Sequence, residues 1–149
     1  MARSLSTALV EPNVGQVVPL LWVRDIQASL RFYRDGLGFA VAKEWADEGR
    51  LRWCWMTLGN AAVMLQETWT EGPDRNVADG PVGRGVILHF ICRDALAVYR
   101  DVRARGVEAK RPFVGNAMWV TELSDPDGYH LVFESPTDAP EDSKWQETR

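Results

Sequence analysis

Two stretches of the chain share one grammar, and that repeat restricts its possible folds more than any other feature. The first runs Val17-Val18-Pro19-Leu20-Leu21-Trp22-Val23-Arg24-Asp25 and continues at helical spacing through Leu30, Phe32 and Tyr33 to Leu37-Gly38. The second runs Val86-Ile87-Leu88-His89-Phe90-Ile91-Cys92-Arg93-Asp94, then Leu96, Val98 and Tyr99 to Arg105-Gly106. In each, an apolar strand ends in Arg-Asp, the Asp opens a helix, and a Gly closes it, 13 residues after Asp25 and 12 after Asp94. A period of 69 residues is too long for a solenoid. It suits two tandem modules that complete a core or cleft by packing on each other, with function expected between them.

The rest of the chain fits that frame. Residues 1–15 are polar and turn-rich, an expected loose arm. The first module spans 16–68: a strand at Gln16–Val23, where Pro19 implies an edge position or a bulge, then a helix with Ile26, Leu30, Tyr33 and Leu37 on one face. Strands at Phe39–Trp45, Leu51–Leu58 and Ala61–Gln66 follow, joined through Asp47-Glu48-Gly49 and the tight turn Gly59-Asn60. Residues 69–84, rich in Gly, Pro, Asp and Asn, read as an inter-module loop or a lid. The second module spans 85–135: a strand at Val86–Cys92, a helix capped by Asp94, and strands at Val107–Ala109, Met118–Leu123 and Tyr129–Glu134, the last two around Asp125-Pro126-Asp127-Gly128. Residues 136–149 form a polar, acidic tail expected to be flexible, in which Trp145 would dock on a second subunit. The order is β-α-β-β-β twice, an α+β fold.

Composition removes several classes of function. A net charge of -4 and a pI near 5.2 leave no basic stripe for nucleic acid. No apolar run is long enough to span a membrane, and Met1–Pro12 lacks the pattern of a signal peptide, so a cytoplasmic location is expected. Cys54 and Cys92 lie in strand-like runs without metal spacing and read as buried thiols. The outlier is tryptophan: seven residues, at 22, 45, 53, 55, 69, 119 and 145. Its broad ring stacks on flat or cationic ligands when it is not simply core.

Val23-Arg24-Asp25, Ser29-Leu30-Arg31-Phe32-Tyr33, Leu37-Gly38-Phe39, Arg105-Gly106-Val107 and Asp125-Pro126-Asp127-Gly128-Tyr129 together resemble the vicinal oxygen chelate superfamily. That group includes glyoxalase I, extradiol dioxygenases and the bleomycin resistance proteins. The resemblance, over residues 16–136, implies two βαβββ modules whose curled sheets enclose a shared cleft, commonly in a homodimer. It also implies where metal ligands would stand in the metalloenzymes: at Val18, Met64, Ile87 and Val132. All four are apolar, and none offers the imidazole nitrogen or carboxylate oxygen that a divalent metal wants.

Two positions further along the same strand faces stand Leu20, Gln66, His89 and Glu134. Three of these are ligand types. The first and fourth strands of a module are expected antiparallel, however, which would move His89 and Glu134 apart, and His130 is expected on the opposite face from Glu134. The resemblance therefore points to the metal-free members, which sequester a ligand between aromatic walls without cofactor or catalysis. Trp22, Trp53, Trp55, Met64, Gln66, His89, Trp119 and Glu134 are the expected ligand contacts, and the partner is a small planar or cationic organic molecule. The alternative is a lyase or dioxygenase with a relocated metal, or a metal-free enzyme using His89 and Glu134 as acid and base.

Overall fold

The computed structural model describes residues 12–80 and 82–147. The first module comprises β1 (Leu20–Val23), helix α1 (Ile26–Leu30) continued by a wide π-helical turn (Arg31–Gly36), β2 (Ala40–Asp47), β3 (Arg50–Leu58) and β4 (Ala61–Glu67). The second comprises β5 (Ile87–Ile91), α2 (Ala95–Ala104), β6 (Phe113–Gly115), β7 (Met118–Ser124) and β8 (His130–Pro136). Each module forms one four-stranded mixed sheet, in the orders β1-β4-β3-β2 and β5-β8-β7-β6, and neither sheet closes. This is the α+β, twice-βαβββ architecture read from the repeat, with β1 at a sheet edge as Pro19 implies.

Local chemistry explains the helices. Asp25 accepts from the Gln27 and Ala28 amides at 3.0 and 3.2 Å, and Asp94 accepts from the Ala97 amide at 3.0 Å. Ile26, Leu30, Tyr33 and Leu37 form the buried stripe of α1 and its extension. Gly36 is needed because a Cβ there would stand 2.6 Å from Val107 Cγ2. The sheets meet the helices through Leu21, Val23, Cys54, Met56, Val63 and Leu65 on one side and Leu123, Leu131 and Phe133 on the other, within one continuous core.

The modules are latched by the Asp-Pro-Asp-Gly turn. Buried Asp125 accepts from the Tyr33 hydroxyl at 2.8 Å and from the Asp127 and Tyr129 amides at 2.9 and 2.8 Å. Asp127 accepts from the Arg24 amide at 3.0 Å, and the Tyr129 hydroxyl donates to the Trp22 carbonyl at 3.0 Å. Burial nonetheless lifts Asp125 above its ordinary carboxylate value, and burial with the Asp125 charge pushes the Tyr33 phenol far up. A further contact comes from the inter-module loop, where Gly83 lies so close to the Gly128 backbone that no side chain fits.

Several expectations change. Val107–Ala109 is not a strand; the second strand of that module is β6, after Pro112. The β6–β7 turn places Asn116 and Ala117 at φ 58° and 61°, a geometry that Ala does not advertise in a sequence. Those two amides donate to Glu141 at 3.0 and 2.6 Å. The C-terminal segment is accordingly a strap rather than a loose tail. Val114 donates to the Ser143 carbonyl at 2.8 Å, Lys144 bridges to Phe113, and Trp145 packs on Tyr99 of its own α2 with ring centroids 5.1 Å apart. It covers the outer edge of β6, where exposed backbone groups would otherwise invite pairing.

Candidate functional site

Each sheet turns one face to its helix and leaves the other open. On the first sheet the cross-strand register assembles two rows on the open face. One is Trp45 (β2), Trp53 (β3), Gln66 (β4) and Trp22 (β1); the other is Lys43, Trp55, Met64 and Leu20. Strands lie about 4.8 Å apart, so each row is a continuous surface across the sheet. Trp22 and Trp45 are 40% and 50% exposed, large apolar area left uncovered by this chain. Trp45 was missing from the sequence-derived set because pairing register, with shifts near Val41 and Trp45, cannot be read from alternation alone.

The polar groups tune that face. Lys43 Nζ sits 5.3 Å from the Trp55 ring centroid, so the ring already faces a cation. Gln66 Nε2 donates to the Arg52 and Glu67 carbonyls at 3.1 and 3.3 Å, which holds the amide against the sheet. Glu67, buried beside it, receives the Ile26 amide at 2.9 Å, Arg50 Nε at 2.8 Å and Arg52 Nη1 at 2.9 Å. Arg52 in turn stacks 4.0 Å from the Trp69 ring centroid, tying the start of the inter-module loop to β3. Trp69 is thereby engaged within the fold.

On the second sheet β5 and β8 run parallel, not antiparallel, with Ile91 opposite Glu134 and His89 opposite Val132. Advancing along parallel strands keeps two residues together, and His89 Nδ1 lies 2.9 Å from Glu134 Oε1. His130 is on the same face as Glu134, not the opposite one, two rungs away opposite Ile87. Trp119 pairs with Ser135, whose hydroxyl accepts from Ala95 at the start of α2, so Trp119 lies on the helix side and apart from Glu134. The structure thus gathers Trp22, Trp53, Trp55, Met64 and Gln66 on one open face and His89 with Glu134 on another.

Between the modules runs a cleft of about 990 Å³, walled by Pro19, Ala62 and Val63 on one side and by β5 and Phe133 on the other. Of the eight expected contacts, His89 lines it and the other seven do not. The positions at which the metalloenzymes would hold an ion do not fit one. Met64 stands opposite Leu20, Val132 opposite His89, and Ile87 opposite His130, with hydrocarbon or thioether side chains at all the implied positions. Among the described residues no three His, Cys, Asp or Glu side chains gather as a ligand set. Burial raises the Cys54 thiol to about 11, which suits an inert core residue.

The glyoxalase/bleomycin resistance protein/dioxygenase superfamily model matches residues 13–133. The chain belongs to that superfamily. No curated protein matches it. Among solved structures, a bleomycin-binding protein complexed with bleomycin is 20% identical, with a TM-score of 0.60 over 82% of this chain and 98% of its own. TnmS3, an antibiotic binding protein from a Streptomyces species, is 20% identical, with a TM-score of 0.62 over 85% of this chain and 100% of its own. A superfamily member from Nocardioides is 17% identical, with a TM-score of 0.64 over 95% and 96%. At such identities the likeness shows the fold, and within the superfamily the chemistry has to be argued from this chain's own side chains.

Proposed function

We propose that this superfamily member binds and sequesters a small planar organic molecule, without metal or catalysis, as a homodimer. The observation that carries the reading is the row Trp45–Trp53–Gln66–Trp22 with Trp55 and Met64 beside it, uncovered on one sheet face. Such a surface offers apolar stacking with a few polar anchors, the usual make-up of a small-molecule site. The fold likeness to a bleomycin-binding protein and to an antibiotic binding protein supports the same class of activity. Lys43 over Trp55 favours a neutral flat ligand at that ring over a cation. A metal-dependent lyase or dioxygenase has one observation on its side, the His89–Glu134 pair, but two donors complete no metal site.

Intrinsic fluorescence tests the reading. Titration with bleomycin-like glycopeptides, quinones and simple aromatic cations should quench tryptophan emission for at least one compound. Trp22→Ala or Trp55→Ala should then weaken binding about tenfold, equivalent to about 1.4 kcal/mol. Full-strength binding by both variants would show that these rings are framework.

A further inference from the structure

We infer that His89, held by Glu134, is a hydrogen-bond acceptor for the ligand, so that the molecule bound carries a phenolic or enolic hydroxyl on its flat frame. The inference rests on the ligand-binding reading, takes the open faces of the two sheets, separate in one chain, to meet around one ligand in the homodimer, and adds the chemistry of one polar contact. A carboxylate has no hydrogen to give, so in the 2.9 Å contact His89 Nδ1 donates to Glu134 Oε1. That bond selects the tautomer and leaves Nε2 of the neutral ring with a lone pair directed away from Glu134. The pair is asymmetric in exposure: the His89 side chain is 52% exposed and that of Glu134 only 18%. The imidazole is therefore the presented group and the carboxylate its support.

The surroundings favour a neutral donor. Val132 stands opposite His89, and Ile87 and Ile91 flank it on the same face, both exposed. Among the described residues Glu134 has no ion-pair partner besides His89. An acceptor set among hydrocarbon side chains discriminates by hydrogen bonding: a hydroxyl satisfies it, whereas an ether leaves Nε2 desolvated and unpaired.

The test uses the full chain at pH 8 with 2-naphthol and its methyl ether, which share a ring system and differ in the donor. Calorimetry should show the naphthol binding about three- to tenfold more tightly, the range one hydrogen bond supports. His89→Leu should abolish that preference, bringing the two affinities together, and Glu134→Gln should reduce it. Long-range proton–nitrogen spectra of the unliganded protein should show His89 with its hydrogen on Nδ1. Equal affinities in the parent, a preference that survives His89→Leu, or the hydrogen on Nε2 would each overturn the inference. If neither naphthalene binds but other flat compounds still quench tryptophan, this ligand class is refuted and the sequestering reading stands. If nothing quenches, both fall.

Discussion

Single residues carry both the cost and the opportunity in this fold. Ala117, exposed at φ 61°, occupies backbone space that disfavours a Cβ by about 1–2 kcal/mol, and the Glu141 carboxylate that receives its amide helps to hold it there. Glycine would remove the clash at some expense in unfolded-chain entropy, so Ala117→Gly should stabilise the protein by about 0.5–1 kcal/mol. Urea denaturation measures this directly, and an unchanged or lower midpoint would argue against strain at the turn. The same logic separates the tryptophans. Trp69 and Trp145 are engaged by Arg52 and Tyr99, whereas Trp22 and Trp45 present open area.

At the level of elements, the β7–β8 turn joins the modules through buried polar contacts as well as through the apolar core. Tyr33→Phe leaves Asp125 buried with two amide donors and should cost about 1–3 kcal/mol at neutral pH. The pH dependence has a definite sign. Because the folded-state value of Tyr33 is raised, its contribution is complete below the ordinary tyrosine range, about 10, and is lost as pH climbs above it and the unfolded chain ionises. The stability gap between parent and Tyr33→Phe should therefore narrow between pH 9 and pH 11 in urea titrations. A gap constant over that span would mean that the phenol ionises alike in both states. Tyr129, raised by burial and by Asp125, is common to both proteins and cancels in the comparison.

For the molecule as a whole, the open faces decide behaviour in solution. Leu20, Trp22, Trp45, Ile87 and Ile91 are all exposed in the single chain, and β1 and β5 are sheet edges. A second copy covering such surface is the expected arrangement, so light scattering at micromolar concentration should give twice the chain mass of 16.8 kDa. A monomer would refute it. The apolar side chains at the implied ligand positions lead to a second expectation: EDTA should leave the melting temperature unchanged, since no tightly held ion would be withdrawn from the native state. A fall in melting temperature reversed by one particular metal would instead support a relocated site built on His89 and Glu134. No helix among the described residues is long and apolar enough to cross a membrane.

The repeat of strand, Arg-Asp, helix and Gly pointed to two modules and their element order, because capping and periodicity are local and written in consecutive residues, and the superfamily was legible as a resemblance of five short motifs. The apolar residues at the implied metal positions were equally legible, since a substitution of type needs no coordinates. Relations across strands belonged to the tertiary structure. Whether β5 and β8 run parallel decides whether His89 and Glu134 meet, and their separation of 45 positions in sequence carries no trace of that direction. The pairing of β2 with β3 brought Trp45 into the aromatic row, while the hydroxyl of Ser135 beneath α2 identified the face that takes Trp119 away. The strap likewise depends on Glu141 finding two amides 24 and 25 positions earlier. Contacts of that kind follow from packing and register, which arise only when the whole chain has folded.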